Sequence, residues 1–289
     1  MNCIDQTIAD RYAAYNGDCV EVMAGLPTAS IGYSIFSPPF ASLYTYSNSP
    51  RDMGNCRTRA DFFDHMGYMI DQLMRVMMPG RDISFHCMLL PTSKTRDGVI
   101  GLNDFRGDLI RAFEKAGFIF HSEVVIWKDP VRAMQRTKAL GLLHKSVREN
   151  AAMCRQGIPD YLVTMRTPGE SKRITHDRAE YPVDLWQKVA SPVWMDINPN
   201  DTLQYASARE HDDERHICPL QLEVIRRGIM LWTNPGDIVL SPFMGIGSEG
   251  HVALEMGRRF IGVELKSSYY RAAVSNLAAA SSRVSLFSE

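Results

Sequence analysis

The stretch Asp237-Ile238-Val239-Leu240-Ser241-Pro242-Phe243-Met244-Gly245-Ile246-Gly247-Ser248-Glu249-Gly250 decides the fold of this chain. Ile238, Val239 and Leu240 predict a short buried strand, and Gly245, Gly247 and Gly250 follow it with the spacing G-x-G-x-x-G. His251–Met256 then reads as a helix. Glycines between a strand and a helix let the backbone turn tightly and let a ligand come close to the main chain. A second apolar strand, Phe260–Val263, ends in Glu264, seventeen positions after Gly247. An acid at the tip of the next strand is placed to accept hydrogen bonds from ribose hydroxyls. Strand, glycine loop, helix, strand and acid together mark a site for a nucleoside cofactor.

Only one βαβ unit follows that loop, too little to complete a doubly wound sheet, so the missing strands must come from the N-terminal half. There, Tyr12–Asn16 reads as a strand leading into Gly17-Asp18-Cys19, Val20–Leu26 as a helix closed by Pro27, and Ile31–Phe36 as a buried strand. The last of these runs into Ser37-Pro38-Pro39-Phe40. A proline removes a ladder donor and pushes its predecessor out of the helical region, so the strand must stop in a stiff, extended corner. Such a corner can present a backbone carbonyl and a hydroxyl to one planar, amine-bearing ligand while the aromatic ring stacks on its face. Chemistry on an extruded nucleobase requires that arrangement. The expected sheet sets the Leu240 strand beside the Phe36 strand, with the topological switch point between their carboxyl ends. Both special corners then meet at one crevice although some 200 residues separate them.

Between these halves, apolar spacing predicts a helix over Ala60–Met78, a strand over Ile83–Leu89, a helix over Asp104–Ala116 and a long strand or hairpin over Phe118–Trp127. Ala41–Arg59, with Tyr44 and Tyr46, is polar and reads as a loop. From Lys128 to about Arg215 periodicity fades. Residues 1–127 and 216–289 are therefore expected to form the α/β body and 128–215 an inserted recognition region. Residues 128–178 hold eleven Lys/Arg against five acids, a local balance of +6 that leaves −7 on the rest of a chain of net charge −1. A basic segment on an acidic body is the expected footprint for gripping a phosphate backbone.

No apolar run approaches the roughly 20 residues that span a bilayer. Met1–Ala14 carries Asp5 and Asp10 and lacks the apolar stretch of a secretory signal. The six cysteines are scattered without C-x-x-C spacing, which predicts free thiols, a reducing compartment such as the cytoplasm, and no metal site.

Asn16-Gly17-Asp18-Cys19, Ser37–Phe40, His216–Leu222, Ser241–Gly250 and Arg258–Leu265, in that order, resemble the motifs of a known family. The chain is similar to the β-class DNA amino-methyltransferases, in which the catalytic motif precedes the recognition region and the cofactor motif comes last. The resemblance implies a circularly permuted, doubly wound, Rossmann-like α/β sheet and S-adenosylmethionine as methyl donor. Phe243, Met244, Gly245, Gly247 and Ser248 would hold the donor's methionine part, Glu264 its ribose, and Asp18 with Cys19 its adenine, with His216 near the pocket. Ser37, Pro38, Pro39 and Phe40 would be the catalytic corner, acting on a base flipped out of double-stranded DNA. The family usually has Asp-Pro-Phe where Ser241-Pro242-Phe243 stands and Gly-Ser-Gly-Thr where Gly245-Ile246-Gly247-Ser248 stands, which predicts a weaker hold on the donor's ammonium.

An exocyclic amine is a poor nucleophile because its lone pair is conjugated with the ring. Hydrogen bonds to the Ser37 hydroxyl and the Pro38 carbonyl would pull the nitrogen toward tetrahedral geometry for a direct in-line transfer. No nucleophilic cysteine is needed, and Cys218-Pro219 reads as structural. In the family the chain resembles, serine at the first position of the tetrapeptide is commoner in cytosine-N4 enzymes and Asp or Asn in adenine-N6 enzymes, so the resemblance favours cytosine N4 over adenine N6. His86, His144 and His176 read as core or surface histidines. A nicotinamide-dependent oxidoreductase shares the glycine fingerprint but would place it early and leaves Ser37–Phe40 unexplained; a catalytically silent DNA-binding protein need not bind the donor. A cognate restriction endonuclease, and a monomeric or dimeric state, stay open.

Overall fold

Two strand-to-loop corners face one another at the centre of a nine-stranded mixed sheet. In the computed structural model, residues 2–40, 52–92, 97–137, 143–204 and 219–285 are described. In chain order the strands are β1 (Asp5–Ile8), β2 (Tyr12–Asn16), β3 (Tyr33–Phe36), β4 (Asp82–Met88), β5 (Leu90–Pro91), β6 (Leu102–Asn103), β7 (Ile119–Ile126), β8 (Asp160–Arg166), β9 (Val193–Trp194), β10 (Ile238–Ser241) and β11 (Arg259–Glu264). The main sheet runs β1-β2-β11-β10-β3-β4-β8-β7-β9, with β5 and β6 forming a separate ribbon. β2, β11, β10, β3 and β4 are mutually parallel, as the doubly wound reading requires. Leu240 of β10 pairs with Ser34 of β3. From that seam the chain winds to β4 on one side and to β11 on the other, so the switch point lies where the sequence placed it.

The helices α1 (Cys19–Ala24), α2 (Arg59–Val76) and α3 (Phe105–Lys115) cover one face, and α7 (Leu222–Trp232), α8 (Ser248–Glu255) and α9 (Ser267–Ser285) cover the other; α4 (Pro130–Thr137), α5 (His144–Asn150) and α6 (Val183–Val189) lie in the middle of the chain. Alternation along β3 serves both layers: Phe36 packs with Met69, Ile70 and Phe85, while Tyr33 and Ile35 pack with Val224 and Ile229. α2 starts at a capping box in which Thr58 and Asp61 satisfy each other's backbone N–H. Helix and strand ends differ from the sequence reading by a few residues: α8 begins at Ser248 rather than His251, and α2 ends at Val76 rather than Met78.

One larger difference concerns residues 128–215. The segment was expected to be irregular throughout, yet Asp160–Arg166 forms β8, paired antiparallel to β4 on one side and to β7 on the other. Both of its faces are mostly buried, so it lacks the in-out alternation that reveals a half-exposed strand. The hydroxyls of Ser84 and Thr164 bond across the β4–β8 pair at 2.9 Å, and Arg166 grips the buried Asp82 through both carboxylate oxygens at 2.9 and 3.1 Å. β9 adds two residues at the sheet edge beside β7. No helix among the described residues is long and apolar enough to cross a membrane.

Candidate active site

At the carboxyl ends of β2, β3, β10 and β11 a cleft is lined by Asp18, Cys19, Ser37, Pro38, Pro39, Phe40, Phe243, Met244, Gly245, Ser248 and Glu264. These are the residues singled out above, drawn from four separate parts of the chain into one concavity. Gly247 lies just behind the lining, at the N-terminus of α8. His216, Tyr44, Tyr46 and Cys218 lie outside the described residues.

The glycine loop is shaped by backbone needs. Gly245 and Gly247 have φ of 52° and 88°, in the left-handed region that side chains rarely adopt. A Cβ at Gly245 would meet nothing within 4 Å, so the main chain there borders open space. Gly250 has the opposite reason: a Cβ would sit 2.4 Å from both Leu277 and Phe260, so its absence lets α8 press onto β11 and α9. Met244 N–H donates to the Val263 carbonyl at 2.9 Å and Asn276 Nδ2 to the Ile246 carbonyl at 2.8 Å, fixing the loop from two sides.

Glu264 holds the loop from a third side. Its carboxylate accepts from Gly245 N–H at 2.9 Å and from Lys266 N–H at 2.8 Å. Burial nevertheless pushes this carboxyl up to about 7. Asn16 joins the ends of β2 and β11: its amide donates to the carbonyls of Glu264 and Leu265, and its oxygen accepts from Ser267. Asp18 caps α1, accepting from Val20 and Glu21 N–H through one oxygen. The Cys19 thiol is fully buried, which raises its pKa far out of the thiolate range and leaves it inert.

Two acids in the lining escaped the sequence reading. Asp52 caps a short 3-10 turn, Met53–Asn55, and was lost in a polar loop. Glu249 sits inside the glycine fingerprint itself, 4% exposed, with its own backbone N–H donating to its carboxylate. Burial outweighs that bond and, with a smaller contribution from the neighbouring Glu264, pushes the carboxyl up to about 8. The cleft thus gathers Asp18, Asp52, Glu249 and Glu264 against one lining base among the described residues, Lys266. Such a cleft suits a cation. The buried Ser248 hydroxyl also lacks a partner among the described residues, leaving a polar atom available to a ligand.

On the other wall, Phe40 packs against Phe105, ring centroids 6.1 Å apart, and meets the His86 ring nearly edge-on at 6.4 Å. The Ser37 hydroxyl lies 2.8 Å from His86 Nδ1. Behind it, His86 Nε2 lies 3.2 Å from Asp160 Oδ2, and Lys128 Nζ 2.5 Å from Asp160 Oδ1.

The family model for the DNA methylases (N6_N4_Mtase) matches residues 33–275, and the chain belongs to that family. The type II methyltransferase M.BglII of Bacillus subtilis is 25% identical over 260 residues, which cover 88% of this chain and 66% of that protein. Among solved structures, a DNA modification methylase of Thermus thermophilus superimposes with a TM-score of 0.68 at 22% identity, over 94% of this chain and 95% of that one. The cytosine-N4-specific PvuII DNA methyltransferase gives 0.67 at 16% identity over 98% and 96%. At such identities the two structures establish the fold. The chain spans between about a third and two thirds of the length of the curated relatives it matches.

Proposed function

We propose that the protein is a DNA amino-methyltransferase that moves a methyl group from S-adenosylmethionine to the exocyclic N4 of a flipped-out cytosine. The observation that carries this reading is the meeting of the glycine loop and the Ser37–Phe40 corner in one acidic cleft. The donor bears a sulfonium and an ammonium, and four acidic side chains line the space it would occupy, of which Glu249 and Glu264 would give up protons to the donor's charge. Glu264, Asp18, Glu249 and the loop from Phe243 to Ser248 would hold it there. When bound, it supplies an electrophilic methyl group.

The chain's own residues do the rest. Phe40 offers a ring face to an extruded base, and neighbouring aromatic side chains fix that ring. The Ser37 oxygen and the Pro38 carbonyl accept the two amine hydrogens, turning the nitrogen lone pair out of the ring plane and toward the methyl group. Acceleration comes from positioning and from charge placed in advance, without a covalent adduct. Cytosine is favoured by serine at the head of the tetrapeptide. The stretches 128–159 and 167–215, on either side of β8, would read the DNA sequence.

The test is incubation of purified protein with methyl-labelled donor and unmodified duplex DNA, followed by digestion to nucleosides. Label in N4-methylcytosine is the expected result. Label confined to N6-methyladenine would move the target base, and no incorporation into any DNA would overturn the reading.

A further inference from the structure

We infer that His86, backed by Asp160 and Lys128, is a positioning residue that fixes the Ser37 hydroxyl as an acceptor and takes up the proton that amine methylation sets free. The inference rests on the amino-methyltransferase reading above and deepens it. Four side chains form an unbroken line: Ser37 Oγ to His86 Nδ1 at 2.8 Å, His86 Nε2 to Asp160 Oδ2 at 3.2 Å, and Asp160 Oδ1 to Lys128 Nζ at 2.5 Å. They come from the end of β3, from β4, from the first residue of β8 and from the exit of β7, so the sheet itself holds them in register. Met88 and Ile126 flank Asp160 as its partners on the two neighbouring strands.

The hydrogens along this line can be counted. Asp160 is 4% exposed; burial would raise its carboxyl, but a protonated His86 and the Lys128 ammonium together outweigh that and hold it at about 2, and with the imidazole neutral the Lys128 ammonium, 2.5 Å from Oδ1, still faces it. It is therefore an anion at neutral pH. An anion facing Nε2 selects the imidazole tautomer with its hydrogen there, which leaves Nδ1 with a lone pair. The approach of Nε2 to Asp160 is too bent for a straight hydrogen bond, so the hold is mainly electrostatic. Between Nδ1 and Oγ only the hydroxyl's own hydrogen is then available. Ser37 donates to His86, and the oxygen lone pairs are left for the substrate amine. A serine without such a partner is a free rotor that could turn its hydrogen toward the amine, the wrong polarity for an acceptor.

The same line balances the reaction. As the nitrogen–methyl bond forms and the methyl–sulfur bond breaks, positive charge passes from sulfur to nitrogen. One N–H proton then goes to Ser37 Oγ while the hydroxyl proton goes to Nδ1. The products are a neutral methylamine, a neutral thioether and an imidazolium stabilised by Asp160. The proton returns to water through Ser37 once the base has left. Asp160 and Lys128 are thus explained by chemistry at the corner, whereas packing alone would be served as well by apolar side chains.

Single-turnover transfer by wild type, His86→Phe and His86→Gln, with donor and DNA affinities measured alongside, tests the inference. His86→Phe should slow transfer by roughly 10²-fold or more, the usual worth of a positioned proton acceptor, while both affinities stay within about threefold. His86→Gln, whose amide oxygen can still accept from Ser37 but cannot take the proton, should fall between the two. If His86→Phe transfers at the wild-type rate, the relay is wrong although the enzyme reading stands; if wild type transfers nothing to DNA, the reading fails and takes the relay with it. Nitrogen-15 NMR of wild-type protein decides the case without any variant: hydrogen on Nε2 supports the relay, and hydrogen on Nδ1 overturns it.

Discussion

Glu249 and Glu264 stand side by side in the cleft with carboxyls raised to about 8 and about 7, so near neutrality each is substantially protonated. Their folded values lie above the ordinary 4.5, so folding takes up protons between pH 4.5 and those values. Without ligand, stability should decline as pH climbs through that window. Asp160 behaves oppositely: held at about 2 against 3.8, it stabilises above 3.8 and loses that contribution as pH falls toward 2. A cationic ligand in the cleft favours ionised Glu249 and Glu264 and must expel their protons. Affinity for S-adenosylmethionine should therefore tighten as pH rises from about 6 to 7.5, with proton release visible as a calorimetric heat that changes with the buffer's ionisation enthalpy. Glu249→Gln should weaken binding and flatten that slope. A pH-independent affinity in the wild type would show that these carboxyls do not face the donor. Position 249 also bears on Ser241, where the resemblance leads one to expect an acid: Ser241 is fully buried behind the cleft with no hydroxyl partner among the described residues, whereas Glu249 lines the cleft and supplies a carboxyl there.

The loop between β10 and α8 uses its glycines for unlike purposes, and substitution should separate them. At Gly250 a side chain would collide with Leu277 and Phe260 at 2.4 Å, both inside the core. Gly250→Val should cost about 1–3 kcal/mol or more by overpacking, read as a lower denaturation midpoint by urea unfolding. At Gly245 nothing lies within 4 Å, so Gly245→Ala should cost only about 1–2 kcal/mol, the penalty of the left-handed conformation. Donor affinity should fall out of proportion there if the open space is where ligand meets main chain. The unlike behaviour also shows what sequence reveals at this scale. Glycine spacing, the acid after the next strand and the two prolines after Phe36 are local signals, and they located the switch point and the cleft. β8 gave no such signal, because its residues are mostly buried on both faces while Asp160 and Thr164 interrupt its apolar side chains, so neither alternation nor a long apolar run shows. With β8 unseen, Asp160 could not be brought near His86, and the histidine read as filler. Contacts between residues 37, 86 and 160 exist only once strand order is known.

Across the molecule, the near-zero net charge conceals a division of labour that the structure sharpens. Of the eleven basic residues in 128–178, Lys128 and Arg166 are committed inside the protein, to Asp160 and Asp82, and do not face a phosphate backbone. Arg132, Arg148, Lys172 and Arg173 are exposed. The excursion 128–159 leaves the sheet after Ile126 and returns at Asp160, a registered pair beside the end of β4, so its two roots stand near the Ser37–Phe40 corner through the His86–Asp160 contact. A phosphate grip built on that excursion would hold the duplex where a flipped base reaches the cleft, while the acids lining the cleft repel phosphate and admit a base and a cationic donor. Duplex affinity should then fall steeply with salt, and each phosphate contact removed should lower the log–log slope by about 0.9. Arg132→Ala with Arg148→Ala should reduce that slope by roughly 2 and weaken binding alike across sequences, leaving donor affinity unchanged. Fluorescence anisotropy over a salt series measures the slope, and one unaltered in the double variant would place the grip elsewhere on the surface.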